Sequence, residues 1–412
     1  MECPKHSNVP AEMLCSSHRS NAQRAWAPTP PRQPSARAHP DPPACSFCTP
    51  VSPLSSDEPL TCPPQWAQQA QLSRDSSPNH LDLTVCSRWM ADCSNDLWAQ
   101  RLKDLLLPGS HNAHAYAFHP QRLGAPLPKM LQLISPLLSP LVSAWGKAQS
   151  VSVLGQLLLG SRYLDIRIDK STLCGTFFTT HGMAGPSLIA ILSAVSSFLR
   201  NEHFQNELLV LDVQKTHSIE SSSDHEAVLD EIATYLSDLL VPATQGLAEL
   251  TYGECISSNK RVVVLYGGAR DDDDIAASAM ERNVWPRHDC FLWSPWPKSR
   301  SLSQLREHFK VAPKLAKRAP GFFVLQGVCT PNAQIVQQGV LKRSAPSDLH
   351  ELAQAVTPTA FEWARELEMS CVVMCDYIDC CAGEIALMLA ERYPTFAERL
   401  ELQYREAKSK VE

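Results

Sequence analysis

The sequence predicts an α/β protein whose globular part is an irregular TIM (β/α)8-type barrel. Short apolar runs alternate with amphipathic helical stretches from Trp89 onward. Eight such runs fit within about 325 residues, which is enough chain for one large barrel. Several runs end in histidine, arginine or aspartate side chains. A barrel brings the carboxyl ends of its strands to one mouth, where such side chains would meet. A doubly wound α/β sheet is the alternative fold.

The elements follow from the periodicity of apolar residues. Runs rich in β-branched and aromatic side chains predict strands, and the 3.6-residue period predicts helices. The predicted strands cover residues 105–108, 163–168, 177–180, 208–213, 261–266, 290–293, 322–326 and 371–375. The predicted helices cover residues 187–200, 225–240, 301–309, 348–368 and 383–402.

The first 85 residues have a different composition from the rest of the chain. They contain 15 of the 32 prolines, much serine and almost no periodic hydrophobicity. Proline has no backbone N–H for a ladder, and such a segment buries little apolar surface. We therefore expect residues 1–85 to be a disordered Pro/Ser-rich region, a spacer more than a partner-binding segment. Residues 86–412 are expected to form the barrel.

Charge and cysteine content limit the class of protein. The net charge is −6 and the pI is about 6.2, which argues against nucleic-acid binding through bulk charge. The 15 cysteines are an odd number, and the first 20 residues lack a signal-peptide pattern. No apolar run reaches about 18 residues, the length needed to span a membrane. We expect a cytoplasmic monomer with reduced thiols, and Cys45 and Cys48 have no second pair at zinc spacing.

Ionisable residues follow the first three predicted strands. His111 comes after the turn Leu107-Pro108-Gly109-Ser110, and His181 precedes Gly182. Alternation along the second strand places Asp165 and Arg167 on one face, opposite Leu164 and Ile166. Buried charges are costly unless they are paired or used. Taken alone, each histidine is more simply interpreted as a hydrogen-bonded structural residue. Asp165 and Arg167 alone are more simply interpreted as an internal ion pair.

The last predicted strand ends in Asp376, which could cap the following helix or orient a histidine. Two histidines can act as base and acid on opposite sides of one reacting centre. A guanidinium such as Arg167 suits phosphate oxygens. Because all of these residues fall at strand ends, together they favour a site for phosphodiester cleavage.

A zinc hydrolase that uses His111 and His114 as ligands is a weaker reading. A His-x-x-His pair in a turn is a poor template for zinc, and no third ligand is apparent. We expect no metal and no cofactor.

These motifs resemble the X domain of phosphatidylinositol-specific phospholipases C. The likeness rests on Leu-Pro-Gly-Ser-His-Asn, Gly-Ser-Arg-Tyr-Leu-Asp-Ile-Arg, Thr-His-Gly and Val-Val-Met-Cys-Asp-Tyr-Ile-Asp, in that order. It covers about residues 88–400 and is nearest to eukaryotic proteins whose only recognisable domain is the X domain. The resemblance implies an irregular TIM barrel and cleavage of a phosphoinositide lipid to diacylglycerol and inositol phosphate.

The resemblance also implies roles for five residues. His111 matches the general base, His181 the general acid and Asp376 the carboxylate that orients the base. Arg167 matches the arginine that replaces calcium in the metal-independent bacterial enzymes, and Asp165 matches the acidic residue two positions earlier. These assignments imply catalysis without calcium.

Other positions depart from one branch of the family or the other. Asn112 resembles the calcium-dependent members, whereas bacterial enzymes have an aspartate there. Gln214 stands near a glutamate of the calcium-dependent members and near a bacterial lysine. Lys215 is a candidate to replace that lysine, although alternation predicts that it points to the other face. Tyr266 and Arg270 are substrate-binding candidates from strand position alone.

The sequence leaves two further questions open. A catalytically weak barrel that binds lipid or protein is the alternative to an intracellular signalling enzyme. The apolar insertion at residues 131–159, which carries Trp145, is equally consistent with a lipid-contacting surface and with packing against the barrel. The expected partner is therefore a phosphoinositide lipid, with peripheral membrane contact.

Overall fold

The computed structural model describes residues 85–409, except for 121, 127–134, 172–174, 244–245, 289–290, 342–344 and 368. The predicted tail, with Cys45 and Cys48, lies outside the described residues apart from Val85. Its disorder and its role as a spacer stay predictions.

Ten strands form a single sheet system, and eight of them are parallel neighbours. The strands are β1 (Leu107–Ser110), β2 (Tyr163–Lys170), β3 (Phe177–Thr180), β4 (Ala184–Ser187), β5 (Leu209–His217), β6 (Val262–Tyr266), β7 (Trp285–Pro286), β8 (Leu292–Trp293), β9 (Phe322–Gln326) and β10 (Val372–Cys375).

The parallel strands run in the order β7-β6-β5-β2-β1-β10-β9-β8. The first strand therefore lies between the second and the last, with Ser110 opposite both Leu164 and Cys375. A sheet that brings the two ends of the chain together in this way is curled as in a barrel, whereas a doubly wound sheet reverses direction at a switch point. This strand order confirms the predicted irregular α/β barrel. It does not fit the alternative, a doubly wound sheet.

One of the eight predicted barrel strands is a different element. β3 pairs antiparallel with β2 and with β4, so it forms a hairpin beside the parallel path. The missing parallel strand is β7, which the sequence analysis did not predict. Two residues are too short to show a period of two, which explains the omission.

Helices cover the outside of the sheet. They are α1 (Trp89–Asp92), α2 (Ser94–Leu97), α3 (Ser135–Gly146), α4 (Val153–Leu158), α5 (Leu188–Arg200), α6 (Ser222–Leu236), α7 (Tyr252–Ser257), α8 (Asp273–Glu281), α9 (Leu302–Ala316), α10 (Ala333–Val340), α11 (Leu349–Glu366), α12 (Ala382–Arg392) and α13 (Pro394–Ser409).

The longer helices begin where the sequence provides a cap. Ser187, Ser221, Ser301 and Asp348 each accept a hydrogen bond from a backbone N–H in the first turn of α5, α6, α9 and α11. The predicted helix 383–402 is two helices, because α12 ends before Pro394, which begins α13. The predicted helix 301–309 continues to Ala316.

The outer face of the sheet is apolar, whereas its inner face carries charged and polar side chains. On its outer face Ile166, Val213 and Tyr266 belong to a hydrophobic cluster with α5 and α6. On its inner face Asp212 is fully buried and accepts hydrogen bonds from Arg287 Nε at 2.7 Å and Tyr163 Oη at 2.6 Å. The barrel interior is thus polar beneath the mouth. No described helix has the length and apolarity needed to cross a membrane.

Candidate active site

Adjacent strand ends bring the first pair of site residues together. β1 and β10 run in register until Ser110 lies opposite Cys375, so His111 and Asp376 leave the sheet side by side. His111 Nδ1 lies 2.7 Å from Asp376 Oδ1, and both residues are buried. The ring donates its Nδ1–H to the carboxylate, which leaves Nε2 as the free nitrogen. The predicted orienting contact is present, and Asp376 is not a helix cap.

His181 reaches the mouth from an unexpected element. It lies in the turn between β3 and β4, and its Nδ1 is 2.7 Å from the carbonyl oxygen of Gly146. Because a carbonyl only accepts, the proton of neutral His181 resides on Nδ1. The two histidine ring centroids are 6.4 Å apart. Both imidazoles therefore present Nε2 to the same small space.

The Asn112 side chain bridges the two rings. Its Nδ2 lies 3.1 Å from His111 Nε2 and 3.3 Å from His181 Nε2. Its backbone is left-handed, with φ at 42°, a conformation that asparagine tolerates better than most residues. The amide nitrogen is therefore within hydrogen-bond distance of both rings.

Asp165 and Arg167 complete the cluster from β2. Asp165 Oδ2 accepts from the backbone N–H of Asn112 at 3.1 Å and lies 3.5 Å from Arg167 Nη2. Arg167 Nη2 also lies 3.4 Å from His111 Nε2. Burial opposes ionisation of Asp165, but the charges of Arg167 and His111 and the amide of Asn112 hold its pKa below the ordinary value. The carboxylate is therefore charged and balances the guanidinium.

The same cation acts on His181. Burial and then the charge of Arg167 lower the pKa of His181 from 6.5 to about 4. At neutral pH His181 is thus uncharged when no anion lies in the mouth. An anion beside Arg167 would offset the cation and raise the pKa again.

His114, the second residue of the hypothetical zinc site, is fully buried. Its Nε2 donates to the carbonyl of Thr180 at 3.0 Å, and its Nδ1 accepts from the backbone N–H of Arg167 at 3.4 Å. Burial lowers its pKa to about 3. Both ring nitrogens connect β2 to the hairpin that carries His181, so His114 is a structural residue. Within the described ranges, no three or more His, Cys, Asp or Glu residues are grouped as metal ligands.

A bulge in β5 changes the expected direction of Lys215. Ile166 pairs with Val213, but the next pair is Arg167 with Lys215, so Gln214 is the extra residue. Residues paired across neighbouring strands share a face, which puts Lys215 on the face of Arg167. The prediction from strict alternation was therefore wrong. Lys215 is exposed and Gln214 is half-buried.

Tyr266 and Arg270, the substrate-binding candidates at the end of β6, are not part of the histidine cluster. Tyr266 pairs with Val213 and is fully buried on the outer face, where its hydroxyl hydrogen-bonds His225 Nδ1 at 2.7 Å. It does not contact the histidine cluster, so the prediction that Tyr266 binds substrate at the mouth was wrong. Arg270 is exposed just beyond the short 3-10 helix Gly267–Ala269.

Three neighbours of the site were not predicted. Gly146 is the carbonyl acceptor for His181, Gln149 contacts the backbone of His111, and Trp296 places its ring centroid 5.8 Å from that of His111. Trp296 follows β8 by three residues, so an aromatic residue after a strand end was the available signal. Nothing in the local sequence marks Gly146 or Gln149.

Several polar atoms at the mouth lack a partner within the described part of the chain. They are Asn112 Oδ1, Asp165 Oδ1 and Arg167 Nε, all buried. Buried polar groups are nearly always satisfied in folded proteins, by protein or by solvent. A concentration of three at one place is typical of a site that receives a polar ligand.

The fold and site together define an α/β barrel protein with two histidines and an arginine at its mouth. Comparison with known proteins shows which proteins this chain is similar to. The chain is 26% identical to the variant-surface-glycoprotein phospholipase C of Trypanosoma cruzi over 302 residues, which span 68% of this chain and 76% of that protein. It is 23% identical to the human PI-PLC X domain-containing protein 3, over 67% of this chain and 83% of that one.

The human PI-PLC X domain-containing protein 2 is 25% identical over 62% of this chain and 82% of its own length. The chain is therefore similar to proteins named for the phosphatidylinositol-specific phospholipase C X domain, and the resemblance that its motifs predicted is confirmed. No family model matches it. Among solved structures it is similar to the phosphatidylinositol-specific phospholipase C of Listeria monocytogenes, with a TM-score of 0.49 and 13% identity over 74% of this chain and 98% of that one.

Proposed function

We propose that this protein is a metal-independent phosphoric diester hydrolase that cleaves phosphatidylinositol-type lipids to diacylglycerol and inositol phosphate. The observation that carries the proposal is the opposed pair of Nε2 atoms, on His111 and His181, next to the guanidinium of Arg167. Acid–base catalysis needs a base and an acid on either side of the reacting atom. The names of the relatives point to the same chemistry.

In the first step His111 is the base. Its Nδ1–H is held by Asp376, so Nε2 accepts the proton of the inositol 2-hydroxyl. The hydroxyl oxygen attacks the adjacent phosphorus while the bond to the diacylglycerol oxygen breaks. Asp376 stabilises the imidazolium that forms.

His181 is the acid in that step. It donates the Nε2 proton to the departing diacylglycerol oxygen, which leaves a cyclic inositol phosphate. In the second step water attacks the ring phosphate with the roles of the histidines reversed, and the product is an inositol phosphate. His181 must be protonated to start the cycle, although its pKa is about 4 in the free protein. The substrate phosphate supplies the negative charge that raises this pKa.

Arg167 supplies the fixed positive charge at the phosphate. Its Nη2 lies 3.4 Å from the nucleophile-activating nitrogen of His111, and the Nε atom is buried with no partner among the described residues. A guanidinium binds two phosphate oxygens at once and stabilises charge that develops in the transition state. This cation is the reason for proposing that catalysis proceeds without calcium. Asn112 is an additional donor beside both histidines, and Lys215 lies on the same sheet face as Arg167.

Two exposed leucines support contact with a lipid surface. Leu137 is 81% exposed on α3, and Leu341 is 52% exposed just after α10. The carboxyl end of α10 approaches the carboxyl end of α3, where a Cβ at Gly339 would lie 3.2 Å from Trp145. Exposed apolar side chains favour shallow insertion into a membrane surface. We propose a cytoplasmic location with peripheral membrane contact.

The test is release of water-soluble inositol phosphate from phosphatidylinositol vesicles in the presence of a chelator. Wild-type protein should turn over and His111→Ala should lose nearly all activity. Equal, negligible release by both proteins contradicts the enzymatic proposal.

A catalytically weak, lipid-binding barrel is the second candidate. One observation favours it: the pKa of about 4 leaves the acid His181 largely deprotonated at neutral pH. Vesicle binding by wild type without any turnover would support this candidate.

A further inference from the structure

One short segment contacts the supports of both histidines. Residues 146–149 comprise the last residue of α3 and the first half of the loop to α4, and Ala148 and Gln149 are fully buried. The segment is anchored by the backbone N–H groups of Ala148 and Gln149, which both donate to the carbonyl of Ala115. It belongs to the insertion between the first two parallel strands.

The Gln149 carboxamide joins the ends of β1 and β10. Its Nε2 donates to the carbonyl of His111 at 2.9 Å and to that of Cys375 at 3.2 Å, and its Oε1 accepts from Ile378 N–H at 3.1 Å. The last ladder hydrogen bond between the two strands runs from His111 N–H to the carbonyl of Cys375. Beyond it the strands separate, so the sheet no longer fixes their spacing.

Asp376 lies between the points that the segment holds. Cys375 is bound by Gln149, and the N–H of Tyr377 donates to the carbonyl of Ala148 at 2.7 Å. Tyr377 adopts a left-handed backbone, with φ at 46°, which a tyrosine adopts only when its surroundings require it. The segment therefore fixes the backbone on both sides of the carboxylate that orients His111.

The same segment fixes the tautomer and the ring orientation of His181. The carbonyl of Gly146 accepts from Nδ1 at 2.7 Å, which keeps the second nitrogen directed at the mouth. Segment 146–149 thus contacts the base, the carboxylate strand and the acid. Each contact is made by backbone or by one amide side chain, so none of it depends on protonation of the segment.

We propose that segment 146–149 is a positioning element that aligns both histidines, with Gln149 as its principal positioning residue. The inference rests on the proposed function for its catalytic consequence. Proximity effects in catalysis are steep, and a displacement of about 1 Å can reduce the rate about 100-fold. Loss of the Gln149 hydrogen bonds should let His111 and Asp376 drift apart without removing any group that touches substrate.

The test compares Gln149→Met with Gln156→Met. Methionine has a similar volume but forms no comparable hydrogen bond. Gln156 is a matched control, because it is a buried glutamine in the same insertion that donates to two carbonyls, of Ala113 and Val151, and touches neither histidine. Both variants should lose similar thermal stability.

We expect Gln149→Met to lower kcat on phosphatidylinositol vesicles on the order of 10- to 100-fold, with KM within about twofold. Gln156→Met should keep kcat within about twofold. An equal loss of kcat in both variants, or full kcat in Gln149→Met, overturns the inference.

A second measurement does not depend on turnover. In protein with ¹⁵N-labelled histidine, the Nδ1–H signal of His111 reports its hydrogen bond to Asp376, and a pH titration reports its charge. The charged and titratable groups that face this ring are Asp376, Asp165, Arg167 and His181. Gln149→Met should weaken the Nδ1–H signal while Gln156→Met leaves it unchanged. If wild type shows no turnover, this signal still decides the positioning role, and an unchanged signal in Gln149→Met rejects it.

Discussion

His111 Nδ1 lies 2.7 Å from Asp376 Oδ1, although the two residues are 265 positions apart in the chain. The contact exists because the first and last parallel strands are neighbours in the sheet. It fixes the ring tautomer, leaves Nε2 for the reaction and places a carboxylate where positive charge develops. Thr357 Oγ1 donates to the backbone carbonyl of Asp376 at 2.7 Å, which anchors the residue further.

Asp376→Asn should lower kcat on the order of 100- to 10,000-fold, because the amide cannot stabilise the imidazolium and need not enforce the tautomer. The free energy of unfolding should change by only about 1–2 kcal/mol, since the side chain stays buried and close to isosteric. Kinetic assay on vesicles, with thermal unfolding as the control, checks both parts. Wild-type kcat in this variant would remove Asp376 from the mechanism.

Arg167→Met should raise the pKa of His181, because it removes the second-largest cause of the depression while burial remains. The same variant should lose at least about 100-fold in kcat, because the phosphate loses its fixed cation. Histidine NMR titration measures the pKa, and inorganic phosphate added to wild type should shift it in the same direction. An unchanged His181 pKa in both experiments would contradict the proposed coupling between anion and acid.

Stability should fall in acid because two buried histidines must be neutral in the folded state. The folded-state pKa is about 4 for His181 and about 3 for His114, against 6.5 for the ordinary side chain. The unfolded chain therefore binds more protons between these values, and stability that is complete above pH 6.5 is lost as the pH falls toward 3. The loss should be on the order of a few kcal/mol.

Denaturant unfolding from pH 7.5 to 4 measures this loss. His114→Gln should flatten the pH dependence, because glutamine does not titrate. A wild-type free energy of unfolding that is constant over this range would show that neither histidine is held neutral.

Gly146→Ala should reduce kcat because the new Cβ would lie 2.9 Å from the carbonyl oxygen of His181, too close for an ordinary contact. The backbone that carries the acid must move. Gly383→Ala is the control, since it lies in α12 with no atom within 4 Å of the added Cβ, and it should stabilise the helix by about 0.5–1 kcal/mol. Equal kcat in the two variants would argue against a constraint at Gly146.

Replacing two exposed leucines, Leu137 and Leu341, with aspartate should weaken binding to phosphatidylinositol vesicles by about tenfold or more, because apolar area is withdrawn from the interface and charge is added. Leu402→Asp is the control, because Leu402 is 55% exposed on α13, which follows α12. Vesicle sedimentation measures the binding of both variants. If Leu402→Asp weakens binding as much as the double leucine variant, the lipid surface lies elsewhere.

Several parts of the site were predictable because they depend on local sequence. The turn before His111, the alternation that puts Asp165 and Arg167 on one face, and the apolar strand before Asp376 are all patterns of period two or of turn residues. The conclusion that these ends converge needed only the rule that parallel strands share a carboxyl edge. The structure confirms that convergence.

Other features were decided only by the tertiary structure. His181 comes from an antiparallel hairpin, because β3 pairs with β2 and β4, and a four-residue strand does not reveal its partner. Lys215 lies on the sheet face of Arg167 because one extra residue in β5 reverses the alternation, and no local sequence pattern indicates this. Tyr266 faces outward because it pairs in regular register with Val213, which is itself on the outer face.

The sequence by itself therefore determined the fold class, the order of the strands that carry chemistry and the five residues of the site, of which four lie on or directly after parallel strands. Tertiary structure decided the orientation of the acid, the protonation of His181 and the roles of Gly146 and Gln149. Those properties depend on contacts between distant segments, such as the carbonyl of Gly146 against His181 Nδ1. Burial and neighbouring charge exist only after the chain has folded, so no local pattern carries them.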